Sequence, residues 1–261
     1  MKKFHGLLLF ILFTDTLFSQ EIVKNKMNFG FDLGLAAYTL SDKSLNYYTY
    51  NANSFVPLNF HCYFLGEKNI HFINLNFIAS TFQTSEESNL YQYNKINLYD
   101  GKLNYEYYRL IKPFNNSFQF FLGASYNLYI TRYNEYYQSK FWPYQNSQFS
   151  YDESMNISLN FLLNYKIKRS NFIIKGGYAF LNYGTRPDDF YIKFGSQNSS
   201  VWKFYSVNNY KNIQISLISH FDISNYFSLK FEYLSDFRTY ITDNEFRFLK
   251  QSWLCGVSYK F

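Results

Sequence analysis

Apolar and polar residues alternate with a period of two over long stretches of this chain. Trp253, Cys255, Val257, Tyr259 and Phe261 alternate with Leu254, Gly256, Ser258 and Lys260. Phe118, Phe120, Leu122, Ala124, Tyr126, Leu128 and Ile130 oppose Gln119, Phe121, Gly123, Ser125, Asn127 and Tyr129 just as regularly. Successive side chains of a strand point to opposite faces, so each stretch predicts a strand with one apolar and one mixed or polar face. Ten such strands can be read, beginning near residues 27, 58, 73, 96, 118, 155, 172, 212, 227 and 253. Ile96 and Leu98 have the opposite parity to Leu103, Tyr105 and Tyr107, which predicts a bulge near Asp100-Gly101.

The connections alternate in length. Short ones fall near residues 67, 114, 169 and 224. Long ones span about 41–55, 84–93, 133–152, 185–208 and 239–245. That asymmetry predicts an all-β fold: a transmembrane, antiparallel, up-and-down β-barrel of about ten strands, with short periplasmic turns and five extracellular loops. Pairing 190–194 with 201–207 inside the membrane would make twelve strands, and a misread pair near 70–108 would leave eight. Pro113, Pro143 and Pro187 fall in connections, and Pro57 opens a strand, as residues without a ladder donor should.

Composition adds the membrane. Aromatic residues are 24% of the chain, with 28 Tyr and 31 Phe. Hydrophobic residues reach 47%, yet the hydropathy average is slightly negative. Fine alternation reconciles the two, and the Tyr and Phe suit aromatic girdles at both membrane interfaces. Lys2 and Lys3, the run LLLFILF at 7–13 and the stretch to Ser19 have the order of a secretory signal peptide. The expected organisation is a signal peptide over 1–19 and a barrel over 20–261, exported to the cell outer membrane. The formal charge of +6 becomes +5 once Lys2, Lys3 and Asp15 leave with the signal. It is spread along the chain and does not form a nucleic-acid surface. Membrane lipids and lipopolysaccharide are the expected partners. Cys62 and Cys255 sit on apolar faces of strands that the first strand would separate, too far apart for a bridge.

The last strand ends on an aromatic residue, with Trp253, Val257 and Tyr259 at alternate positions before Phe261. This resembles the C-terminal signal of small Gram-negative outer-membrane β-barrel proteins. The resemblance implies that the strand is read by the barrel-assembly machinery. Some ten-stranded members, the omptin family, are proteases that use an Asp pair and an Asp-His dyad at the extracellular rim. Here His61, His71 and His220 all fall toward the periplasmic half, and Asp188-Asp189 has no His to partner it, so no catalytic residue is carried over. Ser219 and His220 are strand neighbours on opposite faces and make a poor dyad. CxxC, HExxH and phosphate-loop patterns are absent, so no metal or cofactor is expected.

Two groups of residues remain as candidate sites. Asp32, His61, Glu106, Lys175, His220, Lys230, Glu232, Asp236 and Lys260 fall on inward faces and predict a polar lumen cluster. Charges away from water must be paired, so a self-satisfied core is expected, with a narrow solute path as the sharper reading. Tyr136, Tyr137, Trp142, Tyr144, Tyr191 and Trp202 fall in the long connections. Exposed aromatics of this kind suit an extracellular glycan or protein. The expected function is a non-enzymatic outer-membrane barrel for surface binding, envelope structure or restricted passage. A narrow porin-like channel and an outer-membrane hydrolase are the alternatives.

Overall fold

The computed structural model describes residues 26–42, 49–54, 57–66, 68–84, 91–113, 117–139, 145–185, 202–241 and 246–261. The proposed signal peptide and the tips of the long connections lie outside them. The described residues contain twelve strand segments and no helix: β1 (Lys26–Asp42), β2 (Thr49–Ser54), β3 (Leu58–Leu65), β4 (Asn69–Thr84), β5 (Tyr91–Pro113), β6 (Phe118–Ser139), β7 (Gln145–Ile167), β8 (Ser170–Thr185), β9 (Lys203–Tyr205), β10 (Tyr210–Asp222), β11 (Phe227–Tyr240) and β12 (Phe246–Lys260). β2 and β3 both lie between β1 and β4 and form one interrupted stave. β9 and β10 likewise share the edge of β8. The result is a closed antiparallel barrel of ten staves, sealed where β12 pairs with β1 from Asn28↔Lys260 to Asp42↔Phe246.

Outward positions carry the apolar alternation. On β6 they run from Phe120 through Leu122, Tyr126 and Leu128 to Ile130, and Arg132 follows. Ten steps of about 3.3 Å, tilted by about 40°, give an apolar band about 25 Å tall. Leu159, Leu35, Phe77 and Trp253 are among its exposed members. Cys62 and Cys255 are free thiols on either side of β1, facing Phe29 and Leu33.

Two expectations change. The register of β4 with β5 runs unbroken from Asn69↔Arg109 to Gln83↔Lys95, so no bulge sits at Asp100-Gly101. Ile96 and Leu98 differ in parity from Leu103 because they point into the barrel, where both are fully buried. The irregularities lie instead between Tyr91 and Tyr93, between Leu110 and Lys112, and between Ile157 and Ser158. At the last, Phe180 and Leu181 of β8 both face outward. The second change concerns 133–152: β6 continues through Ser139 and β7 starts at Gln145, so most of this segment is paired hairpin.

The interior is layered. Near the short turns, Tyr63, Ile70, Phe72, Tyr108, Phe121, Leu162, Ile173 and Ile218 form an apolar layer. Toward the long hairpins, Tyr38, Leu40, Ile78, Ile96, Leu98, Tyr210, Tyr240, Phe246 and Phe248 form another. Charged and amide side chains occupy the space between.

Candidate functional site: the ion-paired lumen

The strand register decides which polar groups meet. His61, Asn74, Asn104, Asn127, Asn156 and Asn182 fall on one continuous row across β3 to β8. Their amides join head to tail: Asn74 donates to Asn104 (3.2 Å), Asn104 to Asn127, Asn127 to Asn156 (2.8 Å) and Asn156 to the Tyr210 hydroxyl (3.2 Å). An amide both donates and accepts, so the ladder from Asn74 to Asn156 is held without net charge, while the Asn182 amide at the end of the row stands outside it.

Below the ladder, Asp32 is a hub. Its Oδ2 accepts from Lys230 Nζ (2.7 Å) and Asn59 Nδ2 (2.6 Å) and lies 3.1 Å from His61 Nδ1. Lys230 Nζ also touches Glu232 Oε2 at 2.6 Å, and Glu232 Oε1 accepts from Ser216. The ammonium stands 5.5 Å from the centre of the Tyr63 ring, whose edge meets His220. Gly30 and Gly256 make room for the hub. A Cβ on Gly30 would come within 2.6 Å of His61 Nε2, and one on Gly256 within 2.8 Å of the Asp32 Cα. Nearby, Lys175 forks onto both oxygens of Glu106 (3.1 and 2.9 Å) and lies 4.5 Å over Phe72, while Tyr108 donates to the same carboxylate.

A second cluster lies toward the long hairpins. Arg238 donates to Asp100 Oδ1 (2.9 Å) and Thr131 Oγ1 (3.2 Å), with Asp152 Oδ2 at 4.0 Å. Its guanidinium sits 4.4 Å from each of the Tyr129 and Phe248 rings. Lys250 reaches Asn76 (2.6 Å) and Asp100 (3.7 Å). Lys102 reaches Gln214 (2.8 Å) and Asp236 (3.5 Å), and Tyr129 also donates to Asp236. Among the described side chains, six buried carboxylates face five buried Lys and Arg. The lumen is close to neutral.

Of the nine lumen residues singled out in the sequence, Asp32, His61, His220, Lys230 and Glu232 meet in the lower cluster. Glu106 pairs with Lys175, and Asp236 belongs to the upper cluster. Lys260 is the exception. It occupies the last inward position of β12, at the barrel edge, and pairs there with Asp222 beside the β10–β11 turn. Arg238, Asp100, Asp152, Lys102 and Lys250 were not singled out. Of the aromatic candidates, Trp142, Tyr144 and Tyr191 lie outside the described residues. Tyr136 and Tyr137 are backbone-paired with Ser147 and Asn146. Trp202 packs 5.1 Å from Tyr183 beside the exposed Phe204. Trp253, Val257, Tyr259 and Phe261 all face outward, and the Phe261 amide donates to Met27 across the seam.

One chain of contacts has the form of an acyl-transfer triad. Ser258 Oγ lies 2.7 Å from His61 Nε2, and His61 Nδ1 faces Asp32. A working nucleophile also needs space about 3 Å away for a reacting carbon. Ser258 is fully buried. The polar chamber between the layers, about 50 Å³, is lined by Glu106, Lys175, Glu232, Lys102 and the amides, and not by Ser258 or His61. It has room for a few waters at about 10–15 Å³ each. The triad-like chain therefore satisfies buried groups. Among the described residues no three His, Cys, Asp or Glu gather in a metal-binding group.

No protein-family model matches the chain, and no curated protein is similar to it. Solved structures are. The outer membrane protease OmpT from Escherichia coli superposes with a TM-score of 0.58 at 8% identity, covering 91% of this chain and 97% of that one. The translocator domain of the autotransporter NalP from Neisseria meningitidis gives 0.43 at 10% identity, covering 100% and 95%. The chain thus has the fold of the Gram-negative outer-membrane β-barrels. At these identities the likeness extends to architecture and not to activity. All three histidines of the barrel lie in its short-turn half: His71 near the start of β4, His220 near the end of β10, and His61 within β3.

Proposed function

We propose that this protein is an integral outer-membrane barrel, inserted by the barrel-assembly machinery, that binds a partner at the cell surface and neither conducts solutes nor catalyses a reaction. The observation that carries this is the lumen: two apolar layers enclose charges that are already paired. A path for solute needs unfilled polar space from mouth to mouth. The apolar band about 25 Å tall and the Tyr and Trp at its margins support the membrane location. The short turns then face the periplasm. The working surface is the raised wall of β5, β6 and β7, which are 23, 22 and 23 residues long against 13 for β10. The backbone of that wall carries the Tyr136–Tyr137 segment beyond the band, and an extracellular glycan or protein is the fitting ligand class for such residue types.

The test shortens the wall without disturbing the barrel. Replacing residues 136–147 by Asn-Gly joins Glu135 to Gln148, which already pair. The expected result is retained heat-modifiable folding with loss of glycan-array or cell-adhesion signal. Discrete conductance of the unaltered protein in planar bilayers, or adhesion unchanged by the shortening, would overturn the reading.

A further inference from the structure

We propose that the short-turn end of the barrel carries a basic collar that binds the phosphates of anionic phospholipids in the adjoining leaflet. The proposal rests on the membrane reading above and adds a lipid preference to it.

Among the described side chains, only two carboxylates lie outside the lumen, those of Glu153 and Asp222. The cations are distributed differently. Of the exposed cations with described side chains, Lys68, Arg109, Lys112, Lys166, Lys168 and Arg169 belong to the short-turn end of β3 through β8, against Arg132, Lys203, Lys211 and Arg247 toward the long hairpins. Backbone hydrogen bonds tie these turns to one another: Leu110 N to Lys68 O, Lys166 N to Ser117 O and Asp222 N to Arg169 O. The collar is therefore a continuous arc. Asp222, the described carboxylate at that end, is occupied by Lys260. Tyr165, next to Lys166, is exposed just above the arc, and Tyr226 is exposed in the β10–β11 turn beyond its end, as aromatic residues are at headgroup level.

The backbone supplies an independent observation. Lys168 has a φ of 48° and begins the two-residue turn between the paired Ile167 and Ser170. Such a position favours glycine, because a Cβ there is strained. The chain holds a lysine where glycine would fold more easily. We read that strain as accepted for the charge the lysine brings to the collar. Phospholipid is the occupant that fits. The arc follows the barrel perimeter at the lower margin of the apolar band, where headgroup phosphates lie. Each Lys or Arg near such a surface changes lipid partition about fivefold.

The experiment uses the whole protein in nanodiscs of phosphatidylcholine mixed with phosphatidylglycerol, with retained lipid counted by native mass spectrometry. The unaltered barrel should retain phosphatidylglycerol preferentially. The combined variant Lys166→Gln, Lys168→Gly, Arg169→Gln should lose that preference by about tenfold or more. Lys168→Gly alone should fold at least as readily while losing part of it. A control, Lys203→Gln with Lys211→Gln at the opposite end, should keep it. A barrel that inserts but shows no preference, or whose preference survives the triple change, overturns the collar alone. A barrel that enters neither lipid overturns the membrane reading, and the collar with it.

Discussion

The barrel buries two large ionic clusters, and they are built in different ways. The lower one, around Asp32 and Lys230, draws on β3, β1, β12, β11 and β10, five staves in a row. It is an arc, and it lies over the seam where the first strand meets the last. The upper one joins Arg238 of β11 to Asp100, Thr131 and Asp152 of β5, β6 and β7. β11 and β5 are five staves apart in a ring of ten, so this cluster spans the barrel. The cations match the tasks. Lys230 is a compact charge held by two carboxylates at 2.7 and 2.6 Å. Arg238 spreads its charge over a planar fork between two aromatic rings, which reaches across a wide lumen at lower desolvation cost. One cluster closes the wall and the other braces it.

The strongest test of that division is Asp32→Asn. It leaves Lys230 with Glu232 as its one carboxylate, and it removes the negative charge that Asn59 and His61 share, keeping a single accepting oxygen. Taking one partner from a buried pair costs about 3–5 kcal/mol. Because the hub sits on the seam, the loss should fall on closure. Folding yield into detergent or lipid should drop, and urea midpoints should fall in proportion. A variant that folds with unchanged yield and midpoint would mean that the arc contributes nothing to closing the barrel.

The upper brace should behave otherwise. In Arg238→Lys the charge remains, and Lys250 still faces Asp100. What is lost is the fork onto Thr131 and the stacking on Tyr129 and Phe248, an effect of about 1–3 kcal/mol. The barrel should close with near-normal yield but exchange the amides of β5 and β6 near Asp100 and Thr131 faster. Equal damage to yield and to local exchange would erase the distinction between seam and brace.

These clusters were unequally legible in the sequence, for a physical reason. Parity along a strand shows which residues point inward, so Asp32, His61, Lys230 and Glu232 could be picked out together. The strands were read from the apolar alternation of their outer faces, and that signal ends where the apolar band ends. Ser235 on β11 and Gln251 on β12 already face outward as polar residues. The ladders continue beyond them, to Tyr240↔Phe246. Arg238 and Lys250 therefore lay past the visible strand ends. Ile96 and Leu98 misled in the opposite sense. An apolar residue on a barrel strand is read as outward, and an apolar layer inside the lumen breaks that equation. Partners such as Arg238 and Asp100 depend on stave order and stagger, which no local pattern carries.

The last test is at Gly30, of a size similar to that of Arg238→Lys, and it bears on how tightly the arc is packed. Gly30 lies between Ser258 and His61 in the row of paired residues. Gly30→Ala would press a methyl against the Val257 carbonyl oxygen, and place it 2.6 Å from His61 Nε2 and 2.8 Å from the Ser258 Cα. The backbone atoms cannot yield without disturbing the β1–β12 seam, so the imidazole must move as well and loosen its bond to Ser258. Overpacking of this kind costs about 1–3 kcal/mol. The predicted outcome is a modest fall in the urea midpoint, with folding yield retained and broadened NMR signals for the His61 ring. Ser258→Ala should relieve none of it, because the crowding atoms on β12 are backbone. Rescue by Ser258→Ala would show instead that the hydroxyl, and not the wall, sets the fit at the seam.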